Sequence, residues 1–599
     1  MYRKRLLILI LSTLFLTLSA GNISAQRNID TSDYLGTMRG MLDNFVETAQ
    51  TYDGSNRGYI DAVANSGDPL YLAPLIDMWY FARSPFSNFY LLTDAIVNGV
   101  EQLSDQDFGE DWQAYFEWAS AENIELPPDY DVFKGELFGR VIDPRFEEFF
   151  AAGVQDNANI NLLEAVWGGV RVDGIPSLVN ARQISPEQAA LEGETLRSFC
   201  RGDDCRYPAD DELVFGVSIN GDNRAYPLRL LNWHEMFNDV LGMIPLYDAP
   251  DGEAICNFRA PRPFQARGQQ DGWIFVTGDS AGCPTTGGFI DPESAISWAN
   301  FDSTADALGE LPDLSESDML NLTASLSGSV DGTPVMLAYC TLCGAGILYN
   351  PIIPDLTVDG ENLGTTTLEF GSTGMLMRSN KLMYDRTTFT VWNALTGTPA
   401  FGPLAESDIR LEILPVVTTD WQTWLDDHPD TSVLSLSTGF ERNYGNGAAY
   451  SEYFNNEDFI MFPVFQQDTS EQENKEMVFA LNIEHTPKAY PLATIIPEVV
   501  VNDTLAGTNV VIVARETPER EFFEPGGAAV RAYASEGFIF SAGEDATHIV
   551  DADGVIWDVT EEALVSADGD TLPRIGGHLA FWFGWYSFYP DTLVYEAME

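Results

Sequence analysis

Two patterns of apolar residues divide the chain. Between about 30 and 165 the apolar positions recur at helical spacing, with Leu72, Leu75, Ile76 and Trp79 on one stripe. Phe89, Leu92, Ala95, Ile96 and Val100 form a second stripe of the same kind. Asp68-Pro69 precedes the first and supplies a helix start with proline at an early position. Trp112, Tyr115, Phe116 and Trp118 predict a further helix whose rings serve core packing. Two antiparallel helices of this type predict a degenerate HEAT-like region over 30–165. Residues 166–210 read as a connecting segment. Beyond 210 the runs shorten to Val214–Ile219, Val335–Tyr339, Val478–Ile483 and Val510–Val513, punctuated by Gly, Asn and Asp as strands and turns require. The fold class is therefore multidomain α+β: a helical region followed by β-rich modules.

The β-rich part repeats itself. Residues 212–239 slide onto 476–503 at a constant offset of 264, with 10 identities in 28 positions including a shared Ala-Tyr-Pro-Leu. A second offset of 176 lays Val335–Ala338 on Val511–Ala514. Each copy later carries a lone tryptophan after an aspartate turn, Trp392 and Trp557, and closes on Pro-Asp-Thr at 429–431 and 590–592. The expectation is a first module at 211–440, a linker at 441–474 and a degenerate second module at 475–599. The changed offset predicts an 88-residue insertion in the first module, between about 245 and 332. That insertion looks too polar to build its own core.

The N-terminus and the charge bound the setting. Arg3, Lys4 and Arg5 precede an apolar run from Leu6 to Ala20, and Ile23-Ser24-Ala25 offers small residues for cleavage. This reads as a signal peptide over 1–25, since the 15-residue run falls short of the roughly 20 residues a membrane helix needs. An exported protein, secreted or periplasmic, with no stable membrane anchor follows as an expectation. A formal net charge of −60 excludes a nucleic-acid binder working through a basic face and disfavours an anionic membrane surface. A protein partner could use the helical N-terminal region.

Candidate chemistry comes from comparing the two copies. At the offsets above, His234 lands on Glu498, Cys340 on Glu516 and Cys343 on Glu519. Joint replacement of three reactive residues is what a single shared site predicts. Cys340-x-x-Cys343 with His234 could bind copper or zinc, with a fourth position open. The cysteines could instead cycle as a dithiol, or Cys340 could act as a nucleophile with His234 as base. An inert disulfide in an exported protein is the bland alternative. Glu235, Asn238 and Asp239 are candidates for orienting the imidazole, and Asp385 and Arg386 for charge or substrate contact, with an ion pair as the plainer use. The other cysteines look structural, paired as Cys200–Cys205 and Cys256–Cys283, although four cysteines allow three connectivities. His428, His485, His548 and His578 show no ligand spacing. Phe581-Trp582-Phe583-Gly584-Trp585 reads as a buried strand. Asp551-x-Asp553-Gly554 is turn chemistry rather than a calcium loop.

These residues carry a family resemblance. Ile219-Asn220-Gly221, Arg224 to Leu228, Trp233-His234-Glu235, Asn238-Asp239 and Tyr339-Cys340-x-Leu342-Cys343-Gly344 resemble the bacterial domain of unknown function 3179. The likeness continues through Leu368 to Gly371, Asn380 to Arg386, Trp392 and Leu395 to Gly397, and upstream through Val166 to Val170 and Asp173 to Pro176. It covers about 165–599 and implies an exported prokaryotic protein of uncharacterised activity. The insertion and the Cys200–Cys205 loop depart from the family pattern. Three functions stand side by side: a copper or zinc site, thiol chemistry without metal, and a noncatalytic scaffold with a structural disulfide.

Overall fold

The computed structural model describes residues 29–84, 87–195, 206–260, 263–278, 287–291, 296–299, 326–330, 332–445, 447–464, 472–517 and 528–597. The expected signal peptide, Cys200, Cys205, Cys283 and Glu519 lie outside these residues. The chain divides into two compact units, one ending at Asp156 and the other beginning at Asn157. The whole is multidomain α+β.

The first unit is helical, and side-chain caps set where its helices begin. Asp33 accepts from the Gly36 amide at the head of α1 (Tyr34–Thr51). Helices α2 (Leu72–Ala82) and α3 (Thr93–Ser104) pack on one another, with Leu72, Leu75, Ile76 and Trp79 buried as their spacing predicts. Asp111 caps α4 (Trp112–Ala121) through the Ala114 amide. On α5 (Tyr130–Val141) the fully buried Lys134 ammonium lies 3.0 Å from Asp77, which also accepts the Tyr130 hydroxyl at 2.5 Å. A charge so deep is tolerable only with such a partner.

The second unit is built from two regions of similar plan. In the first, β1 (Leu213–Ile219) and β2 (Asp222–Pro227) form an antiparallel hairpin across Asn220-Gly221. Pro227 leads into the two-turn helix α6 (Leu228–His234), and Glu235 closes it in the left-handed conformation at φ 54°. Next come β3 (Met236–Leu241), β4 (Thr333–Cys340) and β5 (Ala345–Asn350), all antiparallel. Strands β6 (Phe370–Met377) and β7 (Asn380–Asp385) belong to a separate sheet. The chain returns through β8 (Val417–Asp420) beside β1, α7 (Trp421–Asp427), and β9 (Ser432–Leu434) parallel to β2. The core between them gathers Phe215, Tyr226, Leu231, Phe237, Tyr339 and Trp424.

The second region runs β10 (Met477–Ile483), β11 (Thr486–Pro491), α8 (Leu492–Glu498), β12 (Val500–Leu505), β13 (Thr508–Glu516) and β14 (Ala528–Ala534). It ends with β15 (His578–Phe581) beside β10, α9 (Trp582–Tyr586), and β16 (Leu593–Val594) parallel to β11. Side-chain bonds recur with the strands. Asn238 exchanges two hydrogen bonds with the Phe370 backbone, at 2.9 and 2.8 Å, and Asn502 exchanges two with Phe540, both at 2.8 Å. Tyr226 donates to Asp239 as Tyr490 does to Asp503. The lone tryptophans donate to their turn aspartates, Trp392 to Asp385 and Trp557 to Asp551. The Pro-Asp-Thr threonines accept from indoles, Thr431 from Trp424 and Thr592 from Trp585.

Three expectations need correction. Strand pairing sets Asp239 opposite Val335 and Asp503 opposite Val510, so the offset at β4 and β13 is 175 and not 176. Cys340 therefore matches Arg515 rather than Glu516; Val510-Val511 lets Val335 match a valine in either register, and Ala338 meets Ala514 only in the slipped one. The insertion does build a core. Its seven-stranded sheet, between Met243 and Val330, buries Ile244, Leu246, Phe258, Phe264, Ile274 and Ile290 together. Burial alternates along its strands, as in Met243–Tyr247, a pattern that mean polarity does not show. The run at 581–585 is buried as expected, but it leaves strand geometry after Phe581 and continues as helix α9.

Candidate functional site

The dithiol sits where β4 ends. Cys340 is the last residue of that strand, and Thr341–Cys343 make a single 3₁₀ turn closed by Gly344 at φ 60°. The turn brings the two sulfurs to 2.7 Å, with the Cys343 sulfur 3.2 Å from the Ser379 carbonyl oxygen. Both thiols are free. Cys343 is fully buried, and burial beside Cys340 pushes its thiol well above the usual range. Cys340 is 5% exposed and lines a cavity of about 60 Å³. The close fit behind the turn depends on the second region, because a Cβ on Gly584 of α9 would stand 2.9 Å from the Cys343 Cβ.

Glu235, Thr341, Lys381 and Tyr450 line the same cavity. The left-handed cap after α6 turns Glu235 to this side, where its carboxylate meets the buried Lys381 ammonium at 2.6 Å. The Thr341 hydroxyl is buried and has no hydrogen-bond partner among the described residues. Tyr450 holds a left-handed backbone at φ 61°, which is costly for an aromatic residue, and its hydroxyl is pushed up by burial and by the charges of Glu235 and Cys340.

His234 is not part of this group. Its Nδ1 donates to the Pro176 carbonyl at 2.8 Å, so Nε2 is the acceptor and takes the Tyr444 hydroxyl proton at 2.7 Å. Thr438 then donates to the Tyr444 oxygen at 2.6 Å. Both ring nitrogens are used, and burial lowers the imidazole to about 4. Among the described residues no three His, Cys, Asp or Glu side chains are placed to hold a metal ion. The His234/Cys340/Cys343 metal centre and the Cys340–His234 nucleophile–base pair are therefore corrected. Adjacent residues at a helix cap point to different places, and His234 serves as a clasp on the 438–444 segment.

Of the other candidates only Glu235 reaches the sulfurs' cavity. Asn238 pins the Phe370 backbone, and Asp239 accepts from the buried Arg224 at 3.0 Å. Asp385 accepts from Thr387, Thr388 and Trp392, while its neighbour Arg386 pairs with Asp173 at 2.9 Å and Glu369 at 3.0 Å. Cys256 is disulfide-bonded. Sequence reasoning missed Thr341, Lys381 and Tyr450. Lys381 had one signal, being one of five lysines in 599 residues. A larger hollow of about 430 Å³ lies over His578 and Trp585, but it is lined by no cysteine.

Fold and site together define a multidomain α+β protein with a buried vicinal dithiol at a strand end. The chain matches the family described as "Protein of unknown function (DUF3179)" over residues 172–247 and 325–592, more than half its length, and belongs to that family. The gap in the match falls on the inserted sheet. No curated protein and no solved structure matches the chain.

Proposed function

We propose that this chain is an exported thiol–disulfide oxidoreductase whose active pair is Cys340 and Cys343. One observation carries the reading: two free thiols 2.7 Å apart, one lining a cavity and the other sealed behind it. Cys340 attacks and Cys343 resolves. The Cys340 thiolate displaces one half of a substrate disulfide, and Cys343 then displaces the other. The CxxC pair is oxidised by two electrons, and the substrate leaves as two thiols carrying the two protons. The commitment of both His234 nitrogens favours this over a His/Cys/Cys copper or zinc centre. The recurring strand registers and side-chain bonds support descent of 211–440 and 475–599 from one duplicated module, with the second retained as a support. The α2–α3 helix pair supports a HEAT-like contact region for a protein partner. The disulfides Cys200–Cys205 and Cys256–Cys283 complete the proposal for an oxidising compartment.

Reaction of the reduced protein with a small disulfide tests it. Cys343→Ser traps a mixed disulfide on Cys340, and Cys340→Ser reacts at least ~100-fold more slowly than the parent. Equal behaviour of the two variants contradicts the assignment.

A further inference from the structure

The cavity over Cys340 is much smaller than an ordinary ligand pocket. At about 60 Å³ it stands against roughly 300 Å³ or more for sites that enclose a ligand. Only the reacting tip of a substrate fits there. The rest must lie outside, and the structure provides a place. A groove of about 660 Å³ meets the cavity through three shared residues, Val170, Ile175 and Tyr450. The groove has an apolar and aromatic lining at Trp233, Ala448 and Ala449. Asn232 also lines it, is 6% exposed, and has a side-chain oxygen with no hydrogen-bond partner among the described residues. A buried carbonyl oxygen left so is costly unless a donor arrives. Among the described lining residues one acid and one base, Glu441 and Arg442, offset each other, so the groove has no net charge of its own in a chain of net charge −60.

We infer that the substrate is a cysteine-bearing polypeptide lying extended in this groove. Its backbone N–H meets the Asn232 oxygen while its Cβ and sulfur pass Tyr450 to reach Cys340. A cysteine side chain matches the narrow cavity, and a peptide backbone supplies the missing donor. The strained Tyr450 backbone marks the join between the two spaces. This rests on the thiol–disulfide reading and adds the substrate class to it. The peptide disulfide takes two electrons and two protons from the CxxC pair and leaves as two thiols.

The test compares three disulfides with the reduced full chain: bis(2-hydroxyethyl) disulfide, the disulfide dimer of a neutral eight-residue peptide with a central cysteine, and the same dimer N-methylated beside the cysteine. The peptide dimer is expected to react at least tenfold faster than the small disulfide, and N-methylation to remove that advantage. Asn232→Leu should slow the peptide about tenfold and leave the small disulfide within twofold. Equal rates for all three probes, or an equal loss on both substrates in Asn232→Leu, overturns the polypeptide assignment while leaving the dithiol reading intact. No reaction with any probe overturns the dithiol reading itself.

Discussion

The two β-rich regions of the second unit share their strands and hairpins, and they differ where chemistry is expected. At the end of β4 stands Cys340; at the matching position of β13 stands Arg515, paired with Asp427 of α7 at 3.2 Å. The support is reciprocal. Helix α9 of the second region presents Gly584 to Cys343, and helix α7 of the first presents Asp427 to Arg515. Strands show the same exchange, with β5 against β15 and β14 against β8. The lesson is a division of labour: the sheet-and-helix plan needs no cysteine, so the sulfurs in the first region are not required by the fold.

The largest stability effect concerns His234, whose matching residue is Glu498. Its folded-state value of about 4 lies below the ordinary 6.5, so the unfolded chain takes the proton first as pH falls. Stability is complete above about 6.5 and is lost as pH falls towards 4, by about 3 kcal/mol for this group. His578, also lowered to about 4 by burial, contributes in the same window. Denaturant unfolding from pH 7 to 4 should show the loss, and His234→Gln should remove about half of it. An unchanged pH slope in that variant would show that the clasp is not the titrating element.

Gly584 supplies the next test. Its counterpart on α7 is Thr423, which faces no cysteine turn. Gly584→Ala drives a methyl into Cys343 and should cost about 2 kcal/mol, read as a lower denaturant midpoint. It should also change the exchange rate of the CxxC pair, whereas Thr423→Ala should not. The smallest effect is at the hairpin tips. The first region turns through Asn220-Gly221, and the second through Glu484-His485 with φ of 46° and 63°. Both positions demand left-handed backbone, which glycine adopts without strain. His485→Gly should therefore stabilise the protein by about 1 kcal/mol, and Gly221→His should do the reverse.

Much of this organisation was legible in the sequence. The 264-residue offset marks corresponding hairpins because Ala-Tyr-Pro-Leu spans the end of a strand and the start of its helix in both places. Trp392, Trp557 and the two Pro-Asp-Thr threonines also stood out, and each makes an indole hydrogen bond. The site was only half legible. Cys340 and Cys343 are neighbours by spacing alone, but His234 and Glu235 diverge because the left-handed cap lies between their directions. Lys381 and Tyr450 reach the cavity from strand β7 and from the segment after β9, contacts that no local spacing announces. The one-residue error at β4 arose because similar strands tolerate a slip that hydrogen-bond pairing does not.

The central claim is that Cys340 and Cys343 are a working redox pair. Equilibrating the purified full chain across a series of thiol–disulfide buffers, then alkylating and weighing it, measures this directly. The account predicts a reversible two-electron transition of Cys340 and Cys343 at a potential above about −300 mV, with the other cysteines unchanged. A pair that stays oxidised below that potential, or thiols that never interconvert, would contradict it.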